Sequence, residues 1–265
     1  MTLKLGLNEY MSNTEYHADR SCLSSSGLRS INKNEYDFRR SFMSPHEEDL
    51  DNAAFSFGTY IHTKLLEPHL IKHTTAIYMG KMRRGKEWEQ FKLDNPGKNI
   101  VTKAEFIIGE KISINLNKMP KTKALLAQGR SEETYCSVID KVKCKVRFDK
   151  IGKGYGLDVK TTSSPTDAKN IIQTIEQWNY ELPAAFYVDV ANKAGADIKD
   201  FYFLFANKKS CELVLVKIGP DILEKGRDQY KAALKKYNEL KNTGFFDNIM
   251  PVLEVVESSE TLEKI

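Results

Sequence analysis

The sequence predicts an α/β protein with a central mixed β-sheet flanked by helices and a helical extension on its N-terminal side. Three observations predict it. Residues 133–160 alternate polar and apolar side chains around a glycine turn, the flanking segments carry apolar residues at helical spacing, and the elements run helices, sheet, helix, hairpin, helix. The 265 residues suffice for one large core. No repeat, low-complexity tract or linker marks a boundary, so 1–265 is expected to form a single domain. Its helical part runs to about 130, its sheet core over about 131–220, and a C-terminal helix and tail over 221–265.

Element by element, Leu23-Ser24-Ser25-Ser26-Gly27-Leu28 supplies N-cap candidates for a helix through Ile31. Arg39 and Arg40 follow, then an acidic turn around Pro45–Asp51. A helix is expected over about Ala53–Leu66, ended by Pro68. Its Phe57, Ile61 and Leu65 share one face, and His62 and Leu66 the adjacent one. The basic segment Lys81–Trp88 leads into another amphipathic stretch. Residues 104–128 read as helix interrupted by Pro120, and 166–192 as at least two helical pieces, Pro183 forcing a start or a kink. Phe201–Ala206 and Glu212–Ile218 form a hairpin around Asn207–Ser210, and Ile222–Lys241 a lysine-rich helix before a looser tail.

Composition narrows the function classes. No run of about 18 apolar residues exists, so no membrane-spanning helix is expected. The first residues lack a signal-peptide pattern, so a cytoplasmic location is expected. Cys22, Cys136, Cys144 and Cys211 form no CxxC pair; buried reduced thiols are expected rather than a disulfide frame or a zinc ribbon. The net charge of +4 is too small for a polycation, but Lys141, Lys143, Lys145 and Arg147 alternate with apolar residues on one strand face in line with Asp149. That face is either solvated or a cationic track leading a polyanion to a site.

The chemistry concentrates in Val146–Thr162, where Asp149 on one strand is followed by a glycine turn and then Asp158-Val159-Lys160. Side chains at i and i+2 of a strand share a face, so Asp158 and Lys160 point together. A loop of Gly152–Tyr155 sets Asp149 opposite Asp158 with Cβ atoms roughly 5 Å apart, whereas an odd loop count separates them unless a bulge intervenes. Two carboxylates so close both stay ionised only around a cation, and hard oxygen ligands suit Mg²⁺. Acid, acid and lysine in this order form the PD-(D/E)xK pattern of metal-dependent nucleases, so the expected sheet is a restriction-endonuclease-like core.

Several blocks, in consistent order from about residue 10 to 190, make the chain similar to the exonuclease VIII (RecE-type) nucleases of phages and prophages. They are Tyr16-His17-Ala18 with Leu23–Leu28, Phe57–His62 with Leu65-Leu66-Glu67-Pro68, Arg84–Trp88, Cys144–Ile151, Asp158–Thr162, and Tyr180 with Ala184–Tyr187. The resemblance implies that His62, Asp149, Asp158 and the Val159 carbonyl bind metal, that Lys160 is the catalytic lysine, and that Glu132 is an accessory acid. Glu133 leaves that last register open, one of the pair being expected to cap a helix. Arg147, Tyr187, Arg83 and Arg84 are candidates for contact with DNA. The family's glutamine four residues before the tyrosine matched by Tyr187 is replaced by Pro183, unless Gln173 or Gln177 compensates.

The activity so implied is Mg²⁺-dependent (or Mn²⁺-dependent) 5′ to 3′ digestion of linear double-stranded DNA, with two ions at the site. A homo-oligomeric ring and a single-strand-annealing (RecT-like) partner that receives the 3′ overhang are implied as well. Two alternatives stand beside it: a DNA-end-binding scaffold of the same fold, motivated by Pro183, and an endonuclease, for which no recognition subdomain is visible.

Overall fold

In a computed structural model, residues 3–9, 11–43, 53–80 and 82–246 are described, the side chains of 40–43 excepted. The expected turn at Pro45–Asp51, Lys81, the Arg40 side chain and the tail beyond 246 lie outside the described residues. The chain runs β1 (Gly6–Asn8), α1 (Asn13–Ala18), α2 (Ser25–Lys33), α3 (Glu35–Met43), α4 (Ala53–Leu66), α5 (Ile71–Thr74), β2 (Thr75–Tyr78), α6 (Lys86–Asp94) and β3 (Asn99–Thr102). It continues with α7 (Lys103–Leu116), α8 (Pro120–Ala127), β4 (Arg130–Ile139), β5 (Val142–Gly152) and β6 (Tyr155–Thr162). Last come α9 (Ala168–Gln177), α10 (Glu181–Lys193), β7 (Asp200–Asn207), β8 (Leu213–Lys217) and α11 (Pro220–Asn242).

Local chemistry sets the boundaries. Ser24 caps α2 by accepting the Gly27 N–H, and Thr102 and Glu105 form a capping box at the start of α7. Pro120 and Pro220 occupy the first turns of α8 and α11, where a helix needs no N–H. Pro183 sits in the first turn of α10 for the same reason, so it neither kinks nor splits the helix.

The main sheet has the order β1-β4-β5-β6-β7-β8, with every neighbouring pair antiparallel except β6 and β7. A parallel β6–β7 pair needs a crossover, which α9 and α10 supply. β2 and β3 form a separate parallel pair, and these two strands and β1 carry no signal strong enough to be anticipated.

Two apolar layers enclose the sheet. On one face Val146, Phe148, Phe201, Phe203 and Phe205 pack with Leu28 of α2, Phe186 of α10 and Leu234 of α11. On the other, Leu157, Val159, Leu204 and Ala206 pack with Phe57, Ile61 and Leu65 of α4 and Ile112 of α7. Alternation along β6 and β7 thus sends one side chain to each layer.

Only half of the row of cations is solvated: Lys141 is exposed and Lys143 half-buried, but Lys145 and Arg147 are covered. Lys145 and Arg147 are 4% and 7% exposed, beneath the segment Met11–Asp19. Lys145 Nζ donates to the carbonyls of Tyr16 and Asp19, and Arg147 to those of Met11 and Ser12 and to Thr134 Oγ1. Both cations lie 4.5 Å from the centre of the Tyr16 ring. Peptide carbonyls and an aromatic face have replaced the water that period two predicted. All four cysteines are buried free thiols.

Candidate metal and nuclease site

The site forms where β5 and β6 part. Their register, Gly152↔Tyr155 and Lys150↔Leu157, leaves a two-residue turn of Lys153 and Gly154, with Gly154 at φ 80°. This is the even loop count, and it sets Asp149 in line with Asp158. The ladder stops at Lys150↔Leu157, however, and the Val159 N–H donates to Asp149 Oδ2 at 2.6 Å instead of to a backbone carbonyl.

A matching break lies on the other side of β5. The β4–β5 pairing skips from Ser131↔Lys150 to Glu133↔Phe148, and Glu132, which would face Asp149, has φ 55°. Phe148 and Ile151, three apart, both enter the first apolar layer, so the alternation of β5 slips between them. Glu132, Asp149 and Asp158 therefore stand in a row across three strands, where the pairing of the sheet opens. Left-handed backbone at a non-glycine residue carries strain of the sort that marks functional positions.

α4 supplies the fourth group. Phe57, Ile61 and Leu65 anchor its buried face, which turns His62 toward the opening. His62 Nε2 lies 2.9 Å from the Val159 carbonyl and Nδ1 3.3 Å from Asp149 Oδ2. One ligand atom each from His62, Glu132 and Asp149 falls within 4.8 Å of the others. Asp158 is outside that trio; its buried Oδ2 is paired with the Lys160 ammonium. The imidazole of His62, the carboxylates of Glu132 and Asp149 and the Val159 carbonyl converge there, a donor set that fits a hard divalent cation.

The electrostatics say the same. Burial raises Asp149 to about 6, the Asp158 charge adding to it and His62 and Lys160 opposing. Withdrawal from water raises Glu132 to about 8, helped by the charge of Asp149. Burial works against the charge on Lys160, but the carboxylates of Asp158 and Asp149 outweigh it and hold the ammonium above its usual range. Tyr180 lies beneath that ammonium, ring centre 5.3 Å away.

The other expected site residues scatter. Glu133 is buried in an ion pair with Arg130 and accepts from the Tyr135 hydroxyl; neither it nor Glu132 caps a helix, so Glu132 is the acid in the cluster. The Arg147 guanidinium is 4.0 Å from Glu132 and is covered by the N-terminal segment, to whose Met11 carbonyl it donates. Arg83 is bound to Glu105 and the Ile100 carbonyl and lies over Trp88, whereas Arg84 is exposed. Tyr187 packs on Phe148 and Phe201. Gln173 and Gln177 are exposed on α9, and Pro183 is buried. Glu67 escaped notice: its charge raises Glu132, and its place in the Leu65–Pro68 block was the available signal.

No helix among the described residues is long and apolar enough to cross a membrane. The chain superposes on the crystal structure of a "Putative exonuclease" from Eubacterium rectale with TM-score 0.65, covering 96% of this chain and 98% of that one at 17% identity. A second structure, of SSO0001, overlaps 66% of this chain and 86% of its own at 12% identity and TM-score 0.28, too low to carry an argument. No curated protein matches. The model of the PDDEXK-like domain of unknown function (DUF3799) matches residues 24–248. The sheet, its parted strands and that match agree: this chain belongs to the PDDEXK-like family DUF3799 and has a nuclease-like fold.

Proposed function

We propose that this protein is a metal-dependent exodeoxyribonuclease of the exonuclease VIII type that digests linear double-stranded DNA from the 5′ end and leaves 3′ overhangs for strand annealing. The observation that carries it is the row Glu132, Asp149, Asp158 at the parted strands, with His62 and Lys160 beside it. His62, Glu132, Asp149, Asp158 and the Val159 carbonyl would hold Mg²⁺, or Mn²⁺, in one or two positions. Bound there, the metal supplies an acidified water and neutralises charge on the phosphate oxygens.

The chain's own groups do the remainder. Asp149 fixes the turn of β6 through the Val159 N–H, which aims Lys160. Lys160, protonated and braced by Asp158 and Tyr180, orients the attacking water and offsets the charge that builds on the phosphorane oxygens. A homo-oligomeric ring around the duplex and a single-strand-annealing recombinase partner, in the host cytoplasm, belong to the same proposal by resemblance. Pro183 in place of the family's glutamine favours a second reading, a DNA-end scaffold with little cleavage.

Linear duplex labelled at either end, incubated with Mg²⁺ or EDTA, tests both. Metal-dependent loss of the 5′-terminated strand, at least about 10²-fold slower in Lys160→Ala, is expected. Uncut duplex that still binds by its ends would leave the scaffold standing.

A further inference from the structure

The row of cations on β5 has a second end. Lys145 and Arg147 are spent on the N-terminal segment, but Lys141 and Lys143 line a cavity of about 190 Å³ at the β4–β5 hairpin end of the sheet. Arg20 and Ser21 enter it from the loop before α2, and Tyr237 and Lys241 from the end of α11; Cys22, Leu23 and Val142 are buried lining residues. Four cations from three separate parts of the chain therefore converge on one hollow.

Arg20 is engaged with other groups, so the open charge of the hollow is that of its lysines. Lys141, Lys143 and Lys241 make no ion pair among the described residues. The nearby Asp19 carboxylate is committed to the Leu3 N–H and to the N–H and hydroxyl of Ser21. The turn itself is built to present its lysine: Asp140 and Lys141 both take left-handed backbone, at φ 47° and 67°, the geometry of a tight two-residue hairpin. Asn238 of α11 donates to the Asp140 carbonyl and holds the turn against the helix that carries Tyr237 and Lys241.

We infer that this cavity, where Lys141, Lys143 and Lys241 converge, is a phosphate-binding site separate from the acidic cluster. Six residues of strand separate Lys143 from Asp149, roughly 20 Å. Phosphate could arrive there as a backbone phosphate of a duplex whose end lies at the acids, or as a free phosphate monoester. The duplex source rests on the nuclease reading; the phosphate chemistry of the cavity does not.

The test compares wild type with a Lys143→Glu/Lys241→Glu double variant, whose residues lie outside the catalytic cluster. Binding of an 8-base-pair and a 30-base-pair duplex is measured by anisotropy in Ca²⁺ over a range of salt, and inorganic phosphate and dAMP are titrated by calorimetry. Loss of about tenfold in affinity for the long duplex only, with the salt slope reduced by about two, supports the backbone source. Saturable phosphate or dAMP binding that the variant loses, with both duplexes unaffected, supports the monoester source. Unchanged duplex binding together with no phosphate binding by wild type overturns the site. Should wild type bind no DNA, the phosphate titration still decides the cavity and only the nuclease reading falls.

Discussion

Asp149 Oδ2 accepts the Val159 N–H at 2.6 Å, so a side chain takes over a backbone hydrogen bond where β5 and β6 separate. The same carboxylate faces His62 Nδ1 at 3.3 Å. Ending the ladder and building the candidate metal site are thus one event, and the acids are held closer than their charges favour.

That crowding predicts a stabilising mutation. Glu132→Gln keeps the shape of the side chain and removes a carboxylate whose charged form is disfavoured. Because the side chain is 39% exposed, water screens much of the effect, and a gain of about 1–2 kcal/mol in EDTA is expected. Scanning calorimetry with and without Mg²⁺ checks this: the variant should melt higher without metal and gain less from it. A lower melting point in EDTA would contradict the account.

Metal affinity should rise with pH. A carboxyl must lose its proton to become a ligand, and Asp149 and Glu132 are held to about 6 and about 8. For an acid whose folded value is raised, the native state binds more protons than the unfolded one between the two values. Metal-free stability therefore falls as pH climbs from about 4 to 8, whereas Mg²⁺ binding tightens between about 6 and 8. Calorimetric titrations in buffers of different ionisation enthalpy should detect proton release, and an affinity flat across that range would argue against the cluster as ligands.

Lys145 gives an independent signal. Burial lowers its ammonium to about 8 against an unfolded value near 10.5. Between those values the unfolded chain holds a proton that the native state has lost, so wild type gains stability as pH rises through the window. Lys145→Met cannot, and urea denaturation at pH 7.5 and 10 should move the stability difference toward wild type by about 2 kcal/mol. An unchanged difference would mean that Lys145 is not buried as a cation.

Close packing of α10 on α11 hinges on Gly226. A Cβ there would lie 2.0 Å from the Glu181 carbonyl oxygen, a backbone atom that cannot step aside. Gly226→Ala should thus destabilise by about 2–3 kcal/mol despite the roughly 1 kcal/mol it gains in helix propensity. Chemical denaturation reads the sign directly; a more stable variant would show that the two helices can separate at no cost.

Much of this was legible in the chain. The helix from Ala53 to Leu66, the break at Pro120 and the hairpin after Phe201 each follow from short-range spacing, capping or proline geometry, which residues settle with their own neighbours. The two-residue turn that aligns Asp149 with Asp158 is equally local. Other features depend on groups far apart in sequence, and only the tertiary structure decided them. The lysines and arginine of β5 look solvated by period alone, but residues 11–19 return to cover Lys145 and Arg147 and leave Lys141 and Lys143 open. Glu132 rather than Glu133 joins His62 and Asp149 because the alternation slips at one position, and a slip is a response to pairing on both sides of a strand that no single segment encodes.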